Sequence, residues 1–508
     1  MIMTQTETYP DLSRRLVAGA EDAPAILAPD RATLTHGELR SLIKATAERL
    51  HALGIGRGDR VAIVLPNGPE MATAFVAVAA AASTAPLNPA YRADELDFYL
   101  TDIGAKAILV AENEAGPAVA VAERLGIGVL RLVVSPAAGS FTIEGAAIGP
   151  QATPDMAGDG DIALLLHTSG TTSRPKLVPL SHANIAASAA HIGATLGLTA
   201  DDRCLNIMPL FHIHGLIAAV LSSLASGGSI YCTPGFNALR FFQWLGEARP
   251  SWYTAVPTMH QAILARAARN TEALAAARLR FIRSSSASLP AQVMAELEAT
   301  FGCPVIESYG MTEAAHQMAS NRLPPGLRKP GSVGAGAGPE VAVMAPDGRL
   351  LKAGETGEIV IRGPNVTAGY EKNPDANATA FAHGWFHTGD QGVLDGDGYL
   401  RVTGRLKEII NRGGEKISPL EVDDVLMDHP AVAQVVTFAM PHDRLGEEVA
   451  AAVVLREGSS ATENEIRTYA ATRLADFKVP RKVVILDEIP KGATGKLQRI
   501  GLAAKLGL

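Results

Sequence analysis

The chain has 508 residues, 47% hydrophobic and 19% charged, with a formal net charge of -7 and three cysteines. That length exceeds what one hydrophobic core usually fills, so two or more domains are expected, and the composition excludes a disordered or fibrous chain. The acidic balance gives no basic field for a nucleic-acid partner, and Cys204, Cys232 and Cys303 are too far apart for a disulfide framework or zinc cluster, which fits a reducing, cytoplasmic setting.

The N-terminus carries acidic and polar residues where a signal peptide has a basic start and an apolar run, and Lys505-Leu506-Gly507-Leu508 is not a Ser-Lys-Leu address. The longest apolar run, Met71 to Ala85, is Ala-rich, falls short of the ~18 residues a spanning helix needs and stops at Pro86. It predicts a buried helix, with no membrane partner. Between Leu39 and Val110, helical patterns alternate with β-branched runs at Arg60 to Leu65 and Ala107 to Val110, the rhythm of βαβ units. The rhythm returns at Ser251 to Val256, Leu279 to Arg283 and Pro304 to Glu307, and sites in such sheets form beyond the carboxyl ends of the strands. From Gly331 to Tyr399 short strands and Gly/Asp turns predict a small β-rich subdomain, and after Gly404 the pattern resets to α+β, with helices at Glu421 to Met427 and Glu463 to Leu474. The expected fold is α/β: a large N-terminal domain of α/β subdomains plus the β-rich subdomain, residues 1–404, then a small α+β C-terminal domain, residues 405–508. The series Gly54, Gly56, Gly58 and Gly334, Gly336, Gly338 lack the G-x-G-x-x-G spacing of a dinucleotide fingerprint and read as turns.

Thr168-Ser169-Gly170-Thr171-Thr172-Ser173-Arg174-Pro175-Lys176 suits an oxygen-rich anion such as a triphosphate. Gly170 allows close backbone approach, the hydroxyls can donate to phosphoryl oxygens, and Arg174 and Lys176 supply charge. A Walker A loop is excluded, because Pro175 stands five positions after Gly170. In Ser308-Tyr309-Gly310-Met311-Thr312-Glu313 an aromatic can stack on a purine, a hydroxyl can meet a phosphate, and a carboxylate can hold Mg²⁺. Asp390, after Gly389, can accept both ribose hydroxyls. Charged loops follow at Gly404 to Glu408 and Asn411 to Ser418, and Lys496 sits on a Gly-rich loop near the chain end. Taken singly, each segment also reads as an ordinary loop or turn.

In this order, spanning Thr168 to Lys496, the segments resemble the acyl-adenylate-forming superfamily of acyl-CoA synthetases, luciferases and peptide-synthetase adenylation domains. The resemblance implies ATP, Mg²⁺ and coenzyme A, a mobile C-terminal domain, and two steps: adenylation of a carboxylate, then thioester formation. It implies that Thr168, Ser169, Gly170, Thr171, Thr172 and Lys176 belong to the pyrophosphate loop, and that Ser286, Ala287, Ser288, Glu307, Ser308 and Tyr309 form the adenine wall. Thr312 and Glu313 would serve phosphate and Mg²⁺, Asp390 and Arg405 the ribose, Lys407 the hinge, and Lys496 the adenylation step. The loop Gly413-Gly414-Glu415-Lys416 would replace Lys496 for the thiol step, and His212 would stand at the gate between acid and thiol tunnel. Ser173 and Leu177 depart from the usual glycines of the phosphate loop.

Within the superfamily the chain most resembles the oxalate–CoA ligases, through Ala85 to Tyr91, His167 to Lys176, Pro209 to Leu216 and Met311 to His316. The acyl-pocket segments are polar, with His214, Ser286 and His316 as the expected donors to a second carboxylate, and imidazolium character would add attraction. Malonate or another short acid remains an alternative. So do an amino-acid-adenylating enzyme, although Pro209 to Gly215 offers no carboxylate for an ammonium group, and a non-catalytic nucleotide-binding protein, although Lys496, Glu313 and Asp390 are all present. Both His214 and His316 also fit structural roles. A zinc site from His212 and His214 lacks further ligands nearby, and the sequence leaves the oligomeric state open.

Overall fold

The computed structural model describes residues 16–168, 175–490 and 497–508. Two sheets build the N-terminal body. In the first, seven strands run in the order Phe141–Glu144, Gly128–Val134, Ala107–Ala111, Arg60–Val64, Ser83–Pro86, Ile162–His167 and Leu177–Ser181. Its centre is parallel and its outer pairs are antiparallel. The second is a path of thirteen strands. Its parallel half contains Arg203–Asn206, Trp252–Ala255, Phe281–Ser284 and Val305–Met311, and its antiparallel half contains His316–Ser320, Gly334–Gly336, Tyr399–Arg405 and Phe386–Leu394. The β-rich segment is therefore continuous with the α/β sheet, joined where Val305–Met311 turns back into His316–Ser320.

Helix Pro69–Ala79 explains how the sheets stack. Apart from Glu70 every residue in it is buried, and it packs against Arg60–Val64 and Ser83–Pro86 on one side and Ser229–Cys232 of the other sheet. A helix apolar all round belongs between two layers. The apolar run from Met71 is thus a buried helix only to Ala79; its end is the strand Ser83–Pro86. An Ala-rich run carries no period to mark that change, and the β-branched Thr84 beside Pro86 favours the strand. A second apolar run forms a π-helix, His214–Leu221, continued by the α-helix Ser222–Ala225. π-Helical turns are rare and occur disproportionately at functional sites.

Beyond Arg405 lies a separate five-stranded sheet, containing Ile410–Arg412, Glu415–Ile417, Val432–His442, Gly446–Leu455 and Lys482–Ile485. It rests on the N-terminal body through a Gln261 Nε2 bond to the Ala433 carbonyl at 2.9 Å and an Arg456–Glu296 ion pair at 3.6 Å.

The junction of the strands His316–Ser320 and Gly334–Gly336 leaves no room for a side chain: Gly334 has φ of 88°, and a Cβ there would lie 1.9 Å from the Ser320 carbonyl carbon. Gly334→Ala should therefore cost about 1–3 kcal/mol or more in chemical denaturation. An unchanged denaturation midpoint would contradict this backbone approach.

Candidate active site

The carboxyl ends of the strands Phe281–Ser284 and Val305–Met311 point their following residues into one region, and two polar clusters form there. In the first, the Tyr309 hydroxyl donates to Asp390 Oδ2, and Arg405 Nε donates to Asp390 Oδ1 at 3.0 Å. The strand register sets this up, because Asp390 and Arg405 are direct partners across an antiparallel pair. The Asp390 charge raises the Arg405 pKa, and burial pushes the Tyr309 phenol well up. A carboxylate has about four lone-pair positions, so Asp390 can hold both protein donors and still accept from a diol.

Glu313 sits in the turn Thr312–Ala314, buried, and accepts from the Tyr370 hydroxyl at 2.8 Å. Lys176 Nζ lies 4.3 Å from the centre of the Tyr370 ring. Burial raises the Glu313 pKa while Arg405 and Lys176 oppose it; burial lowers that of Lys176, opposed by Glu313 and reinforced by Lys407. Among the described residues no group of three His, Cys, Asp or Glu could hold a metal alone. A single buried carboxylate nonetheless fits Mg²⁺ that brings its remaining ligands as phosphate oxygens and water.

Thr168 N–H donates to the Lys176 carbonyl at 2.9 Å and its hydroxyl accepts from Lys176 N–H at 3.2 Å, closing the base of the phosphate loop. Behind it, His167 Nε2 lies 2.8 Å from Asp102 Oδ2. Ser169, Gly170, Thr171, Thr172 and Lys496 lie outside the described residues. Thr312 is half-buried beside Glu313, Ser308 is buried, and Ala287 and Ser288 are exposed. Gly413 and Gly414 turn a hairpin between Ile410–Arg412 and Glu415–Ile417; Lys416 on it is exposed, and Gly413 N–H donates to the Leu445 carbonyl at 2.9 Å, within the C-terminal sheet.

The second cluster surrounds Arg283. This guanidinium is fully buried, and among the described residues no carboxylate pairs with it. Its NH1 lies 3.3 Å from His316 Nε2, 3.4 Å from His214 Nε2 and 3.5 Å from Thr254 Oγ1, while NH2 donates to Gln317 Oε1 at 3.4 Å. The two imidazole rings are 4.8 Å apart. Burial pushes the Arg283 pKa down to about 9, which leaves it charged at neutral pH. Above the cluster, His214 Nδ1 lies 3.0 Å from Ser286 Oγ, and Ser286 holds a left-handed φ of 74°. Half-buried His212 accepts the His214 N–H at Nδ1, 3.5 Å away.

This geometry alters the sequence expectation. His214 and His316 are 0% and 1% exposed, beneath the half-buried Ser286 and not on the pocket surface. Arg283 N–H groups face Nε2 of both rings, which disfavours a proton on either nitrogen. Nothing in the motifs marks Arg283 or Tyr370. An arginine ending a β-branched run looks like a solvated strand terminus, and its burial follows from the neighbouring strands. Gly310 admits His316 to the cluster, since a Cβ there would lie 2.0 Å from the His316 carbonyl oxygen.

The AMP-binding enzyme family is matched over residues 13–371, and its C-terminal domain over residues 421–496. The oxalate–CoA ligase of Arabidopsis thaliana is 45% identical over 502 residues, 97% of this chain and 98% of that protein. The sulfoacetate–CoA ligase of Cupriavidus necator is 35% identical, with 98% of each chain covered. Among solved structures, ATP-bound MatB from Rhodopseudomonas palustris superposes with a TM-score of 0.86 at 31% identity, covering 96% of this chain and 97% of that one.

Glu307 generates a pH prediction. One oxygen accepts Leu289 N–H at 2.8 Å, the other has no partner among the described residues, and burial pushes the carboxyl from 4.5 up to about 8. Between those values the folded chain holds a proton that the unfolded chain has released. Stability should fall as pH rises through that window, by up to about 1.4 kcal/mol per unit, and level off above it. Glu307→Gln should flatten the decline in melting temperature between pH 5 and 8; an identical slope in both proteins would rule out a buried neutral carboxyl.

Proposed function

The chain belongs to the AMP-binding enzyme family, and we propose that within it this protein is an ATP-dependent, AMP-forming ligase that joins oxalate to coenzyme A. The observation that carries the choice of acid is the buried Arg283 charge, unmatched by any described carboxylate and surmounted by the Ser286 hydroxyl. Neutral acceptors meet the NH1 and NH2 groups without cancelling the guanidinium's charge, which leaves an attraction for a substrate's second anionic group. A fatty acyl chain would find polar walls there. Two full-length relatives support the same chemistry, since oxalate and sulfoacetate are both two-carbon acids with a second anionic group.

In the reaction, the acid's carboxylate oxygen attacks the α-phosphorus of ATP and pyrophosphate leaves; the coenzyme A thiolate then attacks the acyl carbon and AMP leaves. Asp390 and Arg405 would hold the ribose, Tyr309 would lie along the adenine, and Lys176 would meet the phosphates. Glu313, fixed by Tyr370, would hold Mg²⁺, which when bound neutralises the charge that develops on the phosphates. Lys496 would bridge the attacking carboxylate and the α-phosphate, a charge needed in the first step alone. The exposed Gly413–Lys416 hairpin supports exchange of two loops at one site, with residues 405–508 turning about Lys407 against residues 1–404. Three buried free cysteines fit a reducing cytoplasm.

Pyrophosphate release should be measured with oxalate, malonate, acetate and octanoate, with and without coenzyme A, on the wild type and Lys496→Ala. Oxalate should give the highest kcat/KM. Lys496→Ala should slow adenylation at least ~10²-fold while sparing thioester formation from supplied oxalyl-adenylate. Preference for octanoate would reject the small-diacid reading, preference for malonate would move it by one methylene, and equal loss of both steps would remove the role given to Lys496.

A further inference from the structure

A guanidinium can only donate hydrogen bonds. At its 3.4 Å approach to Arg283 NH1, His214 Nε2 must therefore present its lone pair, and the Thr254 hydroxyl, 2.6 Å from the same nitrogen, donates to it as well. The ring is then neutral with its proton on Nδ1. That proton faces Ser286 Oγ at 3.0 Å, so the serine oxygen accepts from it and the serine's own proton turns elsewhere. Ser286 is the half-buried end of this chain of bonds, and its left-handed backbone holds the hydroxyl in place.

We propose that Arg283 is a positioning residue: by fixing the tautomer of His214 it makes the Ser286 hydroxyl a donor toward the acid pocket, aimed at the distal carboxylate of the substrate. This rests on the small-diacid reading and deepens it. The opposite tautomer would place the proton on Nε2 and draw the serine proton inward to Nδ1. Ser286 would then present lone pairs to an anion. The same serine thus attracts or repels the second carboxylate according to which imidazole nitrogen is protonated, and Arg283 makes that choice from beneath.

Several groups face His214 and Arg283. Arg283 comes from Phe281–Ser284, His316 from His316–Ser320 with Nε2 also turned to Arg283, and His212 from the preceding turn. Cys204, which acts on Arg283 from Arg203–Asn206, is a thiol whose pKa burial drives well up, so it remains neutral. Thr254 and Ser286 do not titrate.

The first test reads the wild-type protein: labelled with ¹⁵N-histidine, its His214 resonances, assigned by comparison with His214→Gln, should show the Nδ1-protonated neutral tautomer from pH 6 to 8. An Nε2-protonated or imidazolium ring would overturn the proposal. The second is a double-mutant cycle read as kcat/KM for oxalate. Ser286→Ala and Arg283→Met should each lose ~10- to 100-fold, the scale of one hydrogen bond to a charged group. The pair together should lose little more than either alone, because both remove the same bond. The losses should fall on the oxalate KM more than on the ATP KM, and Arg283→Met should acquire a pH dependence near the ordinary histidine range. Multiplicative losses would overturn the proposal, as would an Arg283→Met enzyme with unaltered oxalate KM. Should Arg283→Met fail to fold, Arg283→Lys, which keeps the charge and a donor, should retain the Nδ1-protonated tautomer; its loss there would count against the proposal. Failure of the diacid reading itself would be separate, seen as wild-type indifference between oxalate and acetate whatever the tautomer.

Discussion

A full positive charge buried without a carboxylate partner constrains everything around Arg283. Left alone in the interior, such a charge would cost many kcal/mol, and it persists only where acceptors replace its water. Here the acceptors are two imidazole nitrogens, a threonine hydroxyl and a glutamine carbonyl, all neutral, at 3.3 to 3.5 Å. They come from three separate segments, and the backbone bends to deliver them. His214 begins a π-helix, while Ser286, Ala315 and His316 hold φ of 74°, 45° and 98°. Strain of this kind persists when surrounding packing fixes it, and it collects at functional sites. Because none of the acceptors is charged, the field of the guanidinium reaches beyond its shell. At the effective dielectric of a protein, a pair of charges ~8 Å apart still attracts by about 2 kcal/mol.

The cluster around Asp390 and Glu313, proposed for the nucleotide, answers a different demand. Its charges are paired locally, Asp390 with Arg405 across two strands and Glu313 with Tyr370 and Lys176 around one ring. Local pairing holds these groups to one another. The Arg283 cluster, by contrast, has no carboxylate partner among the described residues. Selectivity in the proposed reaction thus comes from an imbalance that only a second anion on the substrate would correct.

The residues that gather around Asp390 and Glu313 could be singled out from the sequence because they sit in short, contiguous motifs. Tyr309, Thr312 and Glu313 lie within five positions, and Asp390 lies within, and Arg405 at the end of, two strands joined by a Gly/Asp turn. Chain order alone suffices for such groups. Arg283 and Gln317 were not legible, since each lies in a β-branched or apolar stretch where a polar residue reads as facing solvent. Only strand order reveals that Phe281–Ser284 is flanked on both sides and that its arginine is enclosed. The sequence singles out His214 and His316 by polarity, and the structure buries both, because polarity in a segment does not tell an exposed face from the layer beneath. Two apolar runs, one split into helix and strand and one wound as a π-helix, gave no period to read.

The central claim is that the site recognises the charge of a second carboxylate. Oxamate tests it most directly, because it matches oxalate in size and shape but carries a neutral amide in place of one carboxylate. Acid-dependent exchange of labelled pyrophosphate into ATP, measured without coenzyme A, isolates the adenylation step for the two compounds. The account predicts a kcat/KM for oxalate at least ~10-fold above that for oxamate, the scale of one charge-assisted hydrogen bond. Equal exchange with both would contradict it.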